Sequence, residues 1–134
     1  MKIIVLDTNI VLDLFVFRDT KTAHLKQALE SGTYLWIATE SMRDELERVL
    51  TYPQIVPRLA FYQLTATDIL LKFDQLAHLK PVSPKAKVTC KDPDDQKFID
   101  FAVQHQATLL SKDNAVLSMA KRLSALGVGV NVAL

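Results

Sequence analysis

The sequence predicts an α/β fold, a parallel sheet with helices on both faces. Two observations predict it. Short apolar runs rich in β-branched and aromatic residues alternate with longer segments of helical periodicity. That order makes the strands parallel and lays the crossover helices over the sheet. The first run carries Ile3, Ile4, Val5 and Leu6 in succession, apolar on both faces, as a central parallel strand is.

The elements follow in order. Residues 2–6 are the first strand. Residues 10–17 are apolar apart from Asp13 and begin a helix. Residues 20–31 read as a second helix, with Gly32 placed to end it. Residues 34–38 are a strand, and Thr39 caps a helix running to Leu50. Pro53 and Pro57 punctuate a short helical or irregular stretch. Residues 67–78 are helical, with Thr67 or Asp68 near the start, and 81–83 form a short strand. Asp92 and Pro93 open a helix to about Gln106. A strand over 108–111, a helix over 114–126 ended by Gly127, and a strand over 128–133 complete the chain.

Composition bounds what such a fold can do. The 134 residues are 49% hydrophobic and 23% charged, which suits one globular domain over 1–134. Three glycines, dispersed at Gly32, Gly127 and Gly129, exclude a P-loop and a dinucleotide fingerprint, since both pack several glycines into one phosphate-cradling turn. A net charge of +1 is too balanced for coating nucleic acid by bulk attraction. A single cysteine, Cys90, cannot form an internal disulfide and fits a reducing cytoplasm, the expected location. The opening apolar run is too short for a signal peptide or a membrane span.

In a parallel sheet the ligand site lies off the carboxyl ends of the strands. Asp7 follows the first strand directly, and Asp113 comes two residues after the 108–111 strand. Asp92, Asp94 and Asp95 stand at a helix start, and Glu45 lies within a helix. At about 100° per residue, Ile99, Ala102 and Phe98 fall around Asp95, which sits inside the apolar stripe, whereas Asp100, about 140° away, faces water. Glu45 lies on the edge of the sector formed by Met42, Leu46, Val49 and Leu50. Ionised carboxylates facing a core and converging from different elements need compensation, and oxygen ligands alone suit Mg²⁺ or Mn²⁺. Most of these acids also have a plain structural role open to them. Asp92 before Pro93, Asp94 and Asp95 in a first turn, and Asp113 before Asn114 are all good helix caps. Asp7 is harder to explain so, because Thr8 and Asn9 already supply a cap.

These residues resemble the PIN-domain family. The resemblance rests on Asp7-Thr8-Asn9 after an N-terminal strand, Thr39 followed by Glu45-Leu46, Asp92-Pro93-Asp94-Asp95 at a helix start, and Ser111-Lys112-Asp113 after a strand, in that order over essentially the whole chain. It is closest to the branch described as toxin components of bacterial toxin–antitoxin pairs. The resemblance implies a three-layer α/β/α sandwich with a roughly five-stranded parallel sheet, and a Mg²⁺- or Mn²⁺-dependent endoribonuclease leaving a 5′-phosphate. It implies Asp7, Glu45, Asp95 and Asp113 as the catalytic and metal-binding acids. Asp92 would be a further ligand or orienting neighbour, with Thr8, Asn9 and Ser111 in support. It also implies an RNA substrate, a cognate antitoxin protein and no membrane partner.

Lys80, Lys85, Lys87 and Lys91 occur in a stretch with no acid and lead into Asp92, so they are candidates to hold RNA phosphate. A solvated lysine loop is the simpler reading. His24, His78 and His105 have no metal-ligand spacing. The 10–17 run is more apolar than one buried helix face needs, and part of it could serve as a homodimer face or an antitoxin groove. Two other functions fit parts of the pattern. A haloacid-dehalogenase-like phosphatase also begins with an aspartate after a strand but wants a second one where Asn9 stands. A PIN-like RNA- or protein-binding module would lack a working metal site.

Overall fold

The computed structural model describes residues 2–134. Five parallel strands form one sheet in the order β3-β2-β1-β4-β5. These are β1 (Lys2–Leu6), β2 (Tyr34–Ala38), β3 (Ala77–Leu79), β4 (Thr108–Leu110) and β5 (Val130–Asn131). β1 is central, with Ile4 opposite Trp36 of β2 on one side and Thr108 of β4 on the other. The chain winds outward from β1 through β2 to β3, then returns across the sheet to β4 and β5. The reversal puts the carboxyl ends of β1 and β4 side by side at the topological switch point, where α/β sheets take their ligands.

The helices are α1 (Thr8–Leu12), α2 (Ala23–Glu30), α3 (Glu40–Val49), α4 (Val56–Phe61), α5 (Ala66–Leu76), α6 (Gln96–His105), α7 (Asn114–Leu117) and α8 (Ala120–Ser124). They flank the sheet in the sandwich arrangement of the PIN-like fold. Trp36 is the aromatic centre of the core beside Phe15 and Phe73, with ring centroids 6.1 and 4.9 Å away. Phe98, Ile99, Phe101 and Ala102 of α6 are buried, and α6 packs on β1 and β4. Local signals explain several boundaries. The Thr39 hydroxyl accepts the Met42 N–H at the start of α3. At Gly32 the backbone turns left-handed, with φ +77°, where a side chain would be strained. Among the described residues, no helix is long and apolar enough to cross a membrane.

Five expectations are corrected. The third strand is Ala77–Leu79 and not 81–83. It leaves α5 without a loop and pairs with β2, and the ladder stops at Pro81, which has no N–H to donate. The preceding helix starts at Ala66, behind a reciprocal cap between Thr65 and Asp68. Residues 114–126 form two short helices, and the bend between them lets Val116, Met119 and Leu123 all reach the core.

The 10–17 run offers no partner face. α1 continues into a π-helical turn over Asp13–Phe17, and residues 10–16 are all buried among β1, α2, α3, α4 and α5. Its excess of apolar residues is explained by covering on all sides, so it supports neither a homodimer nor an antitoxin groove. Finally, Asp100 is half-buried rather than solvated. Its carboxylate accepts the Ala86 N–H at 2.8 Å and the Gln96 side-chain amide at 2.7 Å. The Gln96 amide group also bonds the Cys90 N–H and the Val88 carbonyl, so these two residues pin the 80–92 loop onto α6.

Candidate metal centre

Asp7 is the first residue past β1, and its N–H still bonds the Leu110 carbonyl of β4, at 3.0 Å. This ladder bond fixes the Asp7 backbone against the neighbouring strand. The Ser111 hydroxyl donates to Asp7 Oδ2 at 2.6 Å and accepts the Asp113 N–H at 3.0 Å. Asp113 Oδ1 in turn caps α7 by accepting the Ala115 N–H. Capping and clustering are therefore compatible for Asp113, because a carboxylate has two oxygens. Asp92 is a cap of the ordinary kind, accepting the Asp94 N–H at the start of a short 3₁₀ turn, Pro93–Asp95. That turn delivers Asp95 inward, 7% exposed, while Asp94 remains in solvent.

Asp7, Asp95 and Asp113 each offer a carboxylate oxygen, and these atoms lie within 4.8 Å of one another. Asp92 stands outside this group. Asp95 Oδ2 is buried without a hydrogen-bond partner among the described residues. Burial first, then the charge of Asp7 and the closeness of Asp113, pushes the Asp95 carboxyl up to about 7. Its contact with Asp113 is a hydrogen bond only when one of the two carries a proton. Asp7 is also raised, by burial above all, although its bonds from Ser111 and from the Thr8 backbone favour the charge. An orphaned oxygen among three hard oxygen donors fits a divalent cation, whose attraction for each carboxylate offsets their mutual repulsion and the cost of burial.

Glu45 lines the same cleft from α3, with Thr8, Asn9, Tyr52 and Gln54. Its carboxylate is not within the three-acid group. The Thr8 hydroxyl donates to Glu45 Oε2, and the Lys97 ammonium donates to Oε1 at 2.8 Å. Arg48 stands 3.9 Å from the same Oε1. Sequence reasoning missed Lys97. Counted as an ideal helix from Asp95, it falls about 200° from the buried stripe, and only the tertiary fold brings it to a residue 52 positions away. The Tyr52 and Ile55 wall of the cleft was missed too, because nothing local marks that irregular stretch as part of a site.

The four lysines do not converge on the acids, and none lines the cleft. Lys85 and Lys87 border a separate groove with Asp100, Val103 and Gln104 of α6. The Lys85 ammonium is occupied by the Ala86 and Val88 carbonyls and the Thr89 hydroxyl. Lys80, Lys87 and Lys91 are exposed. Lys112, between Ser111 and Asp113, pairs with the buried Asp13.

No curated protein matches the chain. A family model described as PIN domain matches residues 3–115. That span runs from β1 through the cap of α7 and contains every acid of the cleft, and by this match the chain belongs to the PIN-domain family.

Proposed function

We propose that this protein is a Mg²⁺- or Mn²⁺-dependent endoribonuclease and acts as the toxin of a toxin–antitoxin pair. PIN domains are in general metal-dependent nucleases acting on RNA. The observation that carries the reading for this chain is the partnerless, buried Asp95 oxygen beside Asp7 and Asp113. Burying such an atom is costly, and the cost is offset when a cation is bound. The toxin setting and the cytoplasmic location rest on the order of the motifs along the chain and on its lone cysteine.

Asp7, Asp95 and Asp113 would hold the ion. When bound there, a divalent ion offsets phosphate charge, acidifies a water and stabilises the leaving oxygen. The chain's own residues do the positioning. Ser111 locks Asp7 to the Asp113 backbone, so two of the acids keep their spacing. Asn9, exposed at the rim, presents an amide to an incoming phosphate or water. Leu12, Val49 and Ile55 add apolar surface to the cleft.

The test is cleavage of single-stranded RNA with Mg²⁺, Mn²⁺ or EDTA, together with Mn²⁺ titration. Cleavage should require the ion and vanish in Asp7→Asn and Asp95→Asn while both variants remain folded. Full activity of both variants, or activity in EDTA, would defeat the reading. Mn²⁺ binding without cleavage of any RNA would favour a binding module instead. Induced expression should arrest growth in the wild type and not in Asp95→Asn.

A further inference from the structure

We propose that Lys97 is a positioning residue that holds Glu45 back from the ion, so that the chain supplies three carboxylates to the metal and not four. The proposal rests on the metal-dependent reading above. Both oxygens of Glu45 are engaged, Oε2 by the Thr8 hydroxyl and Oε1 by the Lys97 ammonium. Lys97 is itself anchored by the Asp94 carbonyl at 2.8 Å. The Glu45 and Lys97 side chains are 15% and 27% exposed, so the pair is screened less than a surface pair. The bridge ties α3 to the turn that delivers Asp95.

The placement of Lys97 is informative in another way. It sits in the first turn of α6, where a cation opposes the helix dipole. Helix formation does not ask for a lysine there, whereas Glu45 does.

Consequences for the ion follow from coordination chemistry. A fourth carboxylate would fill one more position and add one more negative charge. Binding would tighten, and fewer positions would remain for water and phosphate. Small hard ions held through few carboxylates keep several waters, and hydrolysis uses those positions. A tethered Glu45 leaves them open while its charge still faces the cleft.

The experiment is Mn²⁺ titration followed by water-proton relaxation, which reads affinity and the number of waters on the ion, with RNA cleavage kinetics alongside. Lys97→Met should bind Mn²⁺ about tenfold more tightly, the scale at which outer groups tune a metal site, with fewer bound waters and a lower kcat at little changed KM. Adding Glu45→Gln to Lys97→Met should abolish the tightening. Lys97→Arg should behave as the wild type. Unchanged or weaker Mn²⁺ affinity in Lys97→Met, an unchanged water number, or tightening that persists in the double variant would each overturn the proposal. If instead Asp95→Asn leaves Mn²⁺ binding unaltered in the otherwise native chain, the metal reading itself has failed.

Discussion

The Ser111 hydroxyl donates to Asp7 Oδ2 at 2.6 Å, joining residues 104 positions apart at the neighbouring ends of β4 and β1. The same hydroxyl accepts the Asp113 N–H, so one buried side chain spaces two acids of the cluster. A hydrogen bond to an ionised group contributes about 1.5–3 kcal/mol. Ser111→Ala should lower stability by about that much and raise the Asp7 carboxyl further. It should also weaken Mn²⁺ binding about tenfold or more. Calorimetric Mn²⁺ titration against pH checks this. If the acid limb of the binding curve does not move upward, Ser111 only fills space.

Asp95→Asn separates stability from function. Without an ion, the ionised Asp95 is crowded by Asp7 and Asp113, and burial adds to the cost. An amide has no charge to repel, and its N–H groups can donate to the neighbouring carboxylates. The ion-free variant should therefore melt at or above the wild-type temperature at alkaline pH. Stabilisation by Mn²⁺ and RNA cleavage should both disappear. A variant that melts well below the ion-free wild type would contradict the repulsive cluster.

The same crowding makes stability depend on pH with a definite sign. The Asp95 carboxyl sits at about 7 when folded, against 3.8 ordinarily. Between those values the folded state holds a proton that the unfolded chain has released, so stability falls as pH rises through the window. Ion-free protein should melt higher at about pH 5 than at about pH 8. Mn²⁺ at saturating concentration should remove much of that difference, and Mn²⁺ affinity should fall as pH drops below about 7, where protons compete for Asp95. Parallel melting curves with and without Mn²⁺ test both signs.

Lys85 is expected to be structural. Its ammonium bridges two carbonyls and a hydroxyl within the 85–89 turn. Lys85→Ala should speed amide exchange in the 80–92 loop and leave the salt dependence of RNA binding unchanged. Replacing Lys80, Lys87 and Lys91 together should lower that salt slope if the exposed lysines hold phosphate. Equal slopes for both sets of variants would return the whole stretch to a solvated loop.

Much of the fold was legible because its signals are local. The run from Ile3 to Leu6 fits a central strand with no reference to the rest of the chain, and β2 begins and ends as its apolar run does. Helical phase put Asp95 inside the apolar stripe, and the structure buries it while Asp94 stays exposed. β3 was not legible, because Ala77, His78 and Leu79 carry no strand pattern, and only pairing with an existing edge at β2 makes them extended.

By itself, the sequence determined which residues are charged and which stripes are apolar, and hence that Asp95 lies on a core-facing stripe and Asp7 at a strand end. Those are properties of neighbours along a chain with known periods. The tertiary structure alone decided that Asp7, Asp95 and Asp113 share one small volume while Glu45 is drawn to Thr8 and Lys97. It also took the lysine stretch away from the acids. Ångström distances between residues many positions apart depend on the order of strands in the sheet and the angle at which each turn enters its helix, and no local pattern encodes either.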